Sequence, residues 1–205
     1  MKLSFPATQR NRTPILDVLR KVLPVRCTLL EIASGSGEHA TYFAQHLPTL
    51  TIQPTDIEDA HRRSIDAWTN ELGLTARIRP AVPLDASDAR WPIFADTINA
   101  ALCCNMIHIA PWVGCLGVFR GAVDVLAAGA PLILYGPFRR RDVVTAPSNE
   151  TFDLDLKRRD PSWGLRHLDD VEAVAVDAGF ALDTVIEMPA NNLIVVFRRI
   201  QLECL

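Results

Sequence analysis

Short apolar runs alternate with helix-forming stretches along almost the whole chain, and this alternation constrains the fold more than any other feature. Apolar strands that alternate with helices are typical of a parallel sheet with helices on both faces. The predicted strands are 28–32, 51–54, 76–84, 98–104, 131–135, 181–187 and 193–198. The predicted helices are about 14–23, 38–46, 61–72, 113–126 and 169–179.

Signals at the helix ends and at the last turn refine this scheme. Thr13 and Pro14 are typical of the cap and first position of a helix, and Asp169 with Glu172 fits a capping box. The segment 188–192 is short enough to join the last two strands as a hairpin, which makes the last strand antiparallel to its neighbour. The expected architecture is a doubly wound α/β sheet of seven strands, mostly parallel, with a reversed final strand.

Size and composition fit one domain over residues 1–205. The chain has 205 residues, 49% of them hydrophobic and 22% charged, which provides a sizeable core and excludes a disordered or coiled-coil class. Within this domain we expect an N-terminal arm and helix over 1–24. The segment 139–167 is too long for a simple connection and predicts a lid or substrate loop.

Charge and cysteine content limit the partners and the compartment. The net charge is −3 and the pI is near 5.9, so neither DNA nor an anionic membrane is an expected partner. Five cysteines without zinc-like spacing indicate reduced thiols in a cytoplasmic protein without a metal site. Basic runs at 139–141 and 157–159 are more typical of a solvated face, although an RNA or protein substrate stays open. The sequence leaves the oligomeric state undetermined.

A glycine-containing turn, 33–37, follows the first predicted strand, where doubly wound sheets bind their ligands. Residues 35–40 fit the dinucleotide fingerprint G-x-G-x-x-[GA]. Residues 31–37 also read E-x-A-x-G-x-G, which is close to the turn of class I S-adenosylmethionine-dependent methyltransferases. Glu31 favours the second interpretation, because an acid suits a cationic amino or sulfonium group and would repel pyrophosphate. The predicted cofactor residues are Glu31, Ala33, Ser34, Gly35, Gly37, Asp56, Asp85 and Asn105.

Several of these assignments have a structural alternative. The turn at 33–37 could lack a ligand, Asp56 could begin a loop, and Asp85 could be an ordinary turn residue.

Polar residues near the ends of the fourth, fifth and last strands are candidates for binding a methyl acceptor. His108 is the only histidine in this zone and is the candidate base, although it could equally be a hydrogen-bonded structural residue. Asn191 could bind a polar acceptor or only form the hairpin turn. The full set of candidates is His108, Tyr135, Asn149 and Asn191.

Several motifs taken together resemble one methyltransferase-like family, named methyltransferase-like twenty-six in animals and a domain of unknown function in bacteria. They are RNRTPIL (10–16), LEIASGSGEHA (30–40), QPTD (53–56), NMIHI (105–109), YGPF (135–138), SNxxFD (148–153), DPxWGLR (160–166) and MPANN (188–192). The resemblance covers almost the whole chain.

It implies a Rossmann-like class I methyltransferase fold and a site for S-adenosyl-L-methionine, and it implies no particular substrate. Ala33 departs from the glycine that is usual in the broader methyltransferase turn, and the alanine is part of the resemblance to this family.

The function expected from sequence is therefore S-adenosylmethionine-dependent methyl transfer, with a small molecule as the expected acceptor. Two alternatives stay open: an NAD(P)-dependent oxidoreductase that uses the same turn, and a non-catalytic protein that binds S-adenosylmethionine.

Overall fold

A seven-stranded sheet forms the centre of the computed structural model, which describes residues 1–94 and 97–201. The strands are β1 Cys27–Ile32, β2 Leu50–Asp56, β3 Val82–Pro83, β4 Ala100–Cys104, β5 Pro131–Gly136, β6 Phe180–Met188 and β7 Asn192–Arg199. Their order across the sheet is β3-β2-β1-β4-β5-β7-β6. Neighbours from β3 to β5 are parallel, whereas β7 is antiparallel to both β5 and β6. The predicted architecture, including the reversed final strand, is confirmed.

Helices cover both faces of the sheet. They are α1 Pro6–Val22, α2 Glu38–His46, α3 Asp59–Glu71, α4 Trp112–Val125, α5 Pro147–Arg159 and α6 Leu168–Asp177. Alternate strand residues point to opposite faces, so Leu29 packs with α1 and α2 while Leu30 packs with α4 and α6. Within the described residues, no helix is long and apolar enough to cross a membrane.

The first helix begins earlier than predicted. α1 starts at Pro6, with Phe5 as its cap, and Pro14 lies inside it. Thr13 does not cap a helix; its hydroxyl lies 2.9 Å from the hydroxyl of Tyr42 in α2. The missing N–H of Pro14 removes one helical hydrogen bond, yet α1 continues across that position.

Other features also differ from the prediction. The capping box at Asp169 is absent, because α6 begins after His167 and has no side-chain cap. The third strand is only Val82–Pro83, with an isolated bridge between Ile52 and Ile78. The segment 139–167 is not simply a loop, since it contains α5.

Candidate functional site

The turn after β1 has a left-handed backbone at three positions. Ala33, Gly35 and Gly37 have φ angles of 54°, 59° and 89°. Glycine adopts this conformation readily, whereas an alanine in it is strained by about 1–2 kcal/mol. A Cβ atom on Gly37 would lie 2.8 Å from the Cα of Ile65 in α3. Glycine at this position therefore allows the start of α2 to lie against α3.

Asp56, the last residue of β2, holds this turn in place. Its Oδ2 accepts a hydrogen bond of 2.8 Å from the N–H of Gly35. Its Oδ1 accepts one of 2.9 Å from the N–H of Glu58 and lies 3.1 Å from Nδ1 of His61. A carboxylate has about four acceptor positions, so about one remains for a ligand.

Glu31 is a buried carboxylate at the carboxyl end of β1. Its residue is 2% exposed, and neither Oε atom has a hydrogen-bond partner among residues 1–94 and 97–201. The hydroxyl of Ser34 donates to the main-chain oxygen of Glu31. Burial raises the pKa of Glu31 to about 7; the Ser34 hydroxyl opposes the rise and the nearby charge of Asp56 adds to it. An ionised group buried in this way is costly unless a cation pairs with it.

Helix α1 brings polar side chains to the end of β5. Tyr135 is buried; burial raises the pKa of its hydroxyl, and a hydrogen bond with Asn11 opposes the rise. The Oδ1 of Asn11 also lies 2.7 Å from Nε2 of His39 in α2. Asn105, which has a left-handed backbone with φ of 61°, donates its N–H to the main-chain oxygen of Tyr135 at 2.7 Å. The segment 10–12, which the sequence could not place, thus lies beside one predicted site residue, Tyr135.

His108 lies in a short 3-10 turn after β4 and is 0% exposed. Neither ring nitrogen has a hydrogen-bond partner within the part of the chain that the structure describes. Burial, assisted by the charge of Arg166, lowers the pKa of His108 to about 3, so its imidazole is neutral at pH 7. The ring of Phe138 packs edge-on against it, with centroids 4.9 Å apart. An unpartnered buried imidazole calls for a functional explanation.

Asn149 and Asn191, predicted from different parts of the chain, contact each other. The Nδ2 of Asn149 donates to the main-chain oxygen of Asn191 at 2.9 Å. The Nδ2 of Asn191 donates to the hydroxyl of Ser148 at 3.3 Å. These bonds attach the start of α5 to the turn between β6 and β7.

A charged network joins the two ends of the segment 139–167 to α5, which lies within it. Asp153 is buried in α5, where it accepts hydrogen bonds from Lys157 at 2.6 Å, Arg139 at 3.1 Å and the N–H of Leu165 at 2.8 Å. Arg139 also forms a two-pronged pair with Glu150, at 2.6 Å for each bond. The two cations and the Leu165 N–H keep the pKa of Asp153 below its usual range although burial acts against this.

Two predicted cofactor residues use their side chains locally. The Oδ1 of Asp85 accepts hydrogen bonds from the N–H and hydroxyl of Ser87, at 2.8 and 2.7 Å. The hydroxyl of Ser34 links the main chains of β1 and β2 through Glu31 and Thr55. Asp85 therefore forms the turn that the alternative interpretation describes, and its second carboxylate oxygen is not used in that turn.

Residues 2–199 match the family described as protein of unknown function DUF938. The chain belongs to the DUF938 family.

Solved structures show which larger group shares the fold of this DUF938 chain. An O-methyltransferase family protein from Burkholderia thailandensis superposes with a TM-score of 0.79 at 20% identity, over 96% of this chain and 58% of that one. The S-adenosylmethionine-dependent methyltransferase SibL gives 0.77 at 19%, over 95% and 56%. An O-methyltransferase family 2 protein from Planctomyces limnophilus, in complex with apigenin, gives 0.77 at 17%, over 95% and 60%.

The DUF938 chain therefore has a methyltransferase-like fold and spans little more than half the length of these proteins.

Sequence reasoning missed the N-terminal segment of this DUF938 chain. Residues 2–5 lie along α2 and α3: the N–H of Phe5 and the hydroxyl of Ser4 donate to Glu38, at 2.7 and 2.9 Å. Trp68 donates its indole N–H to the main-chain oxygen of Leu3 at 2.9 Å. The ring of Phe5 lies beside Gly35, 3.4 Å from where a Cβ would be. Glu38, directly after the glycine turn, could have indicated this contact in the sequence, because a buried carboxylate requires hydrogen-bond donors.

Proposed function

We propose that this chain is an S-adenosylmethionine-dependent methyltransferase that acts on a small-molecule acceptor. The observation that carries the proposal is the unpaired carboxylate of Glu31, at the carboxyl end of β1. The amino group of S-adenosylmethionine is a cation that would compensate this charge, whereas the pyrophosphate of NAD would be repelled by it. The fold and the names of its structural neighbours support the same activity, and the neighbour in complex with apigenin supports a small acceptor.

The turn residues fit the rest of this cofactor. The left-handed Gly35 and Gly37 allow close approach of a ligand to the backbone at the start of α2. The remaining acceptor capacity of Asp56 suits a ribose hydroxyl. Ala33, Ser34, Asn105 and Asp85 complete the proposed cofactor set. The quoted motifs further support our inference that the DUF938 family and the methyltransferase-like twenty-six proteins are related.

His108 is proposed as the group that receives the acceptor's proton. When bound, S-adenosylmethionine supplies a methyl group on a sulfonium whose positive charge disappears on transfer. A neutral His108 that takes the proton of an acceptor hydroxyl in that step keeps the total charge of the site constant. Among the described residues neither ring nitrogen of His108 has a hydrogen-bond partner, and an acceptor has to enter the buried space beside Phe138 to supply one. Tyr135, Asn149 and Asn191 are proposed to orient the acceptor.

Binding measurements test the cofactor assignment. Isothermal titration with S-adenosylmethionine, S-adenosylhomocysteine and NAD is expected to show micromolar affinity for the two adenosyl sulfur ligands and no heat for NAD. Asp56→Asn is expected to weaken S-adenosylhomocysteine by about tenfold, because an amide replaces an acceptor oxygen. The exposed Asp59→Asn is the matched control and should bind like the parent. Binding of NAD without binding of either adenosyl sulfur ligand would support the oxidoreductase alternative and refute the proposed cofactor.

Turnover tests the role of His108. With labelled S-adenosylmethionine and compounds from a metabolite extract, His108→Gln is expected to lower methyl transfer by about a hundredfold or more. Its affinity for S-adenosylhomocysteine should stay within about twofold of the parent, since the imidazole contacts Phe138 and not the glycine turn. His167→Gln, an exposed histidine, serves as control. Full activity in His108→Gln would refute the assignment.

A further inference from the structure

The N-terminal segment 2–5 is fixed to two helices by hydrogen bonds. The indole N–H of Trp68, in α3, donates to the main-chain oxygen of Leu3 at 2.9 Å. The N–H of Phe5 donates to the carboxylate of Glu38, at the start of α2, at 2.7 Å. Hydrogen bonds to a carboxylate are stronger than those between neutral groups, and Glu38 is buried. The backbone at Phe5 therefore has a defined position.

The side chain of Phe5 lies beside two of the proposed cofactor residues. Its ring is 3.4 Å from where a Cβ atom on Gly35 would be. The same ring packs edge-on against the ring of His61, with centroids 5.8 Å apart, and Nδ1 of His61 lies 3.1 Å from Oδ1 of Asp56. A ligand held by Gly35 and Asp56 thus has the Phe5 ring as a neighbour.

The protein leaves part of the Phe5 ring uncovered, since the residue is 38% exposed. A partly exposed aromatic ring beside a polar site offers an apolar surface on which a flat base can pack. Asp56 keeps about one acceptor position, which suits a ribose hydroxyl. In a nucleoside the base is attached directly to the ribose, so it can reach a ring next to Asp56.

We propose that Phe5 is a cofactor-binding residue whose ring packs against the adenosine part of S-adenosylmethionine. The inference rests on the proposed function, because it takes the ligand of Gly35 and Asp56 to be this cofactor. The N-terminal segment then forms one wall of the site, and the hydrogen bonds at Leu3 and Phe5 position the ring.

Phe5→Ala is expected to weaken the binding of S-adenosylhomocysteine to the full chain by about tenfold at pH 8, because alanine removes the ring contact. Titration calorimetry measures the affinity. Adenosine, which lacks the amino acid part of the ligand, should lose affinity by the same factor. Phe152→Ala is the matched control: Phe152 lies in α5 and is 39% exposed, and its variant should bind both ligands like the parent.

A double-mutant cycle separates a contact with the ligand from a purely structural role. Trp68→Phe removes the indole N–H that holds Leu3, so the Phe5 ring is less well positioned. In the parent this change should weaken S-adenosylhomocysteine by about threefold. In the Phe5→Ala background it should have no effect, because no ring is left to position.

Several results would overturn the inference. Phe5→Ala could bind S-adenosylhomocysteine within about twofold of the parent, or more tightly, which would mean that the ring obstructs the turn. An unchanged affinity for adenosine would place the ring at another part of the ligand. Equal effects of Trp68→Phe in both backgrounds would show that Trp68 does not act through Phe5. If the parent itself fails to bind S-adenosylhomocysteine, the proposed function is refuted, and with it the identity of the ligand, whatever the variants do.

Discussion

Glu31→Gln is expected to make the ligand-free protein more stable and to abolish tight cofactor binding. In the folded chain burial raises the pKa of Glu31 from 4.5 to about 7, so the folded state binds a proton more tightly than the unfolded state does. The contribution of this group to stability is therefore full below about pH 4.5 and is lost as the pH rises through about 7. At pH 8 the variant, which carries no charge there, should exceed the parent by about 3 kcal/mol in free energy of unfolding.

Urea unfolding at several pH values measures this effect. The stability difference between Glu31→Gln and the parent should be largest above pH 7 and should vanish below about pH 4. Glu172→Gln, a change of the same kind in α6, should show no such dependence. A constant difference across this range would contradict the assignment of the ionised carboxylate as the destabilising group.

The same variant is expected to lose affinity for S-adenosylhomocysteine by about a hundredfold at pH 8, because its neutral amide cannot pair with the ligand's ammonium group. In the parent, affinity should fall by about tenfold for each pH unit below 7, since Glu31 must release its proton before it can pair with the cation. Titration calorimetry in buffers of different ionisation enthalpy would detect that proton. Affinity independent of pH would place the cation of the ligand elsewhere.

Gly37→Ala is expected to destabilise the fold by about 3 kcal/mol, from left-handed strain together with a backbone clash. The added Cβ would lie 2.8 Å from the Cα of Ile65, where no side-chain rotation can make room. Gly73 offers a matched control, because its φ is 64° and a Cβ added there would have nothing within 4 Å. Gly73→Ala should therefore cost about 1 kcal/mol.

Denaturant unfolding of the two alanine variants distinguishes the cost of strain from the cost of the clash. If the m-values are unchanged, the difference between the two midpoints reports the clash, because both variants carry the strain. Equal losses of stability in Gly37→Ala and Gly73→Ala would show that α2 and α3 can move apart at no cost. The close approach of the two helices would then not require glycine at position 37.

Local sequence patterns correctly predicted those elements whose boundaries depend on residues nearby in the sequence. The helix predicted at 38–46 is α2 to the residue, because the glycine turn defines its start. The last two strands form the expected hairpin, since a short joint permits only antiparallel pairing. The predicted start of α1 was wrong because Pro14 is typical of a first helical position. The part of α1 before Pro14 contacts α2, which is distant in sequence, for example through Thr13 and Tyr42.

The candidate site likewise has one part that the sequence could predict and another that it could not. The acidic residues at the ends of β1 and β2 could be predicted, because strand ends meet at one edge of a parallel sheet. That Glu31 is unpaired while Asp56 is already engaged depends on packing that no spacing rule describes. The contact between Asn149 and Asn191 and the position of Phe5 beside Gly35 likewise require the tertiary structure.

The position of β7 between β5 and β6 has a consequence for folding during synthesis. One hydrogen-bonding edge of β5 stays open until residues 192–199 have left the ribosome, at typical rates of about 5–20 residues per second. Over that interval the nascent chain presents an apolar parallel strand with an unpaired edge, a common template for aggregation. Insertion of β7 covers this edge and joins β6 to the sheet, so the sheet is completed only after its last strand has been made.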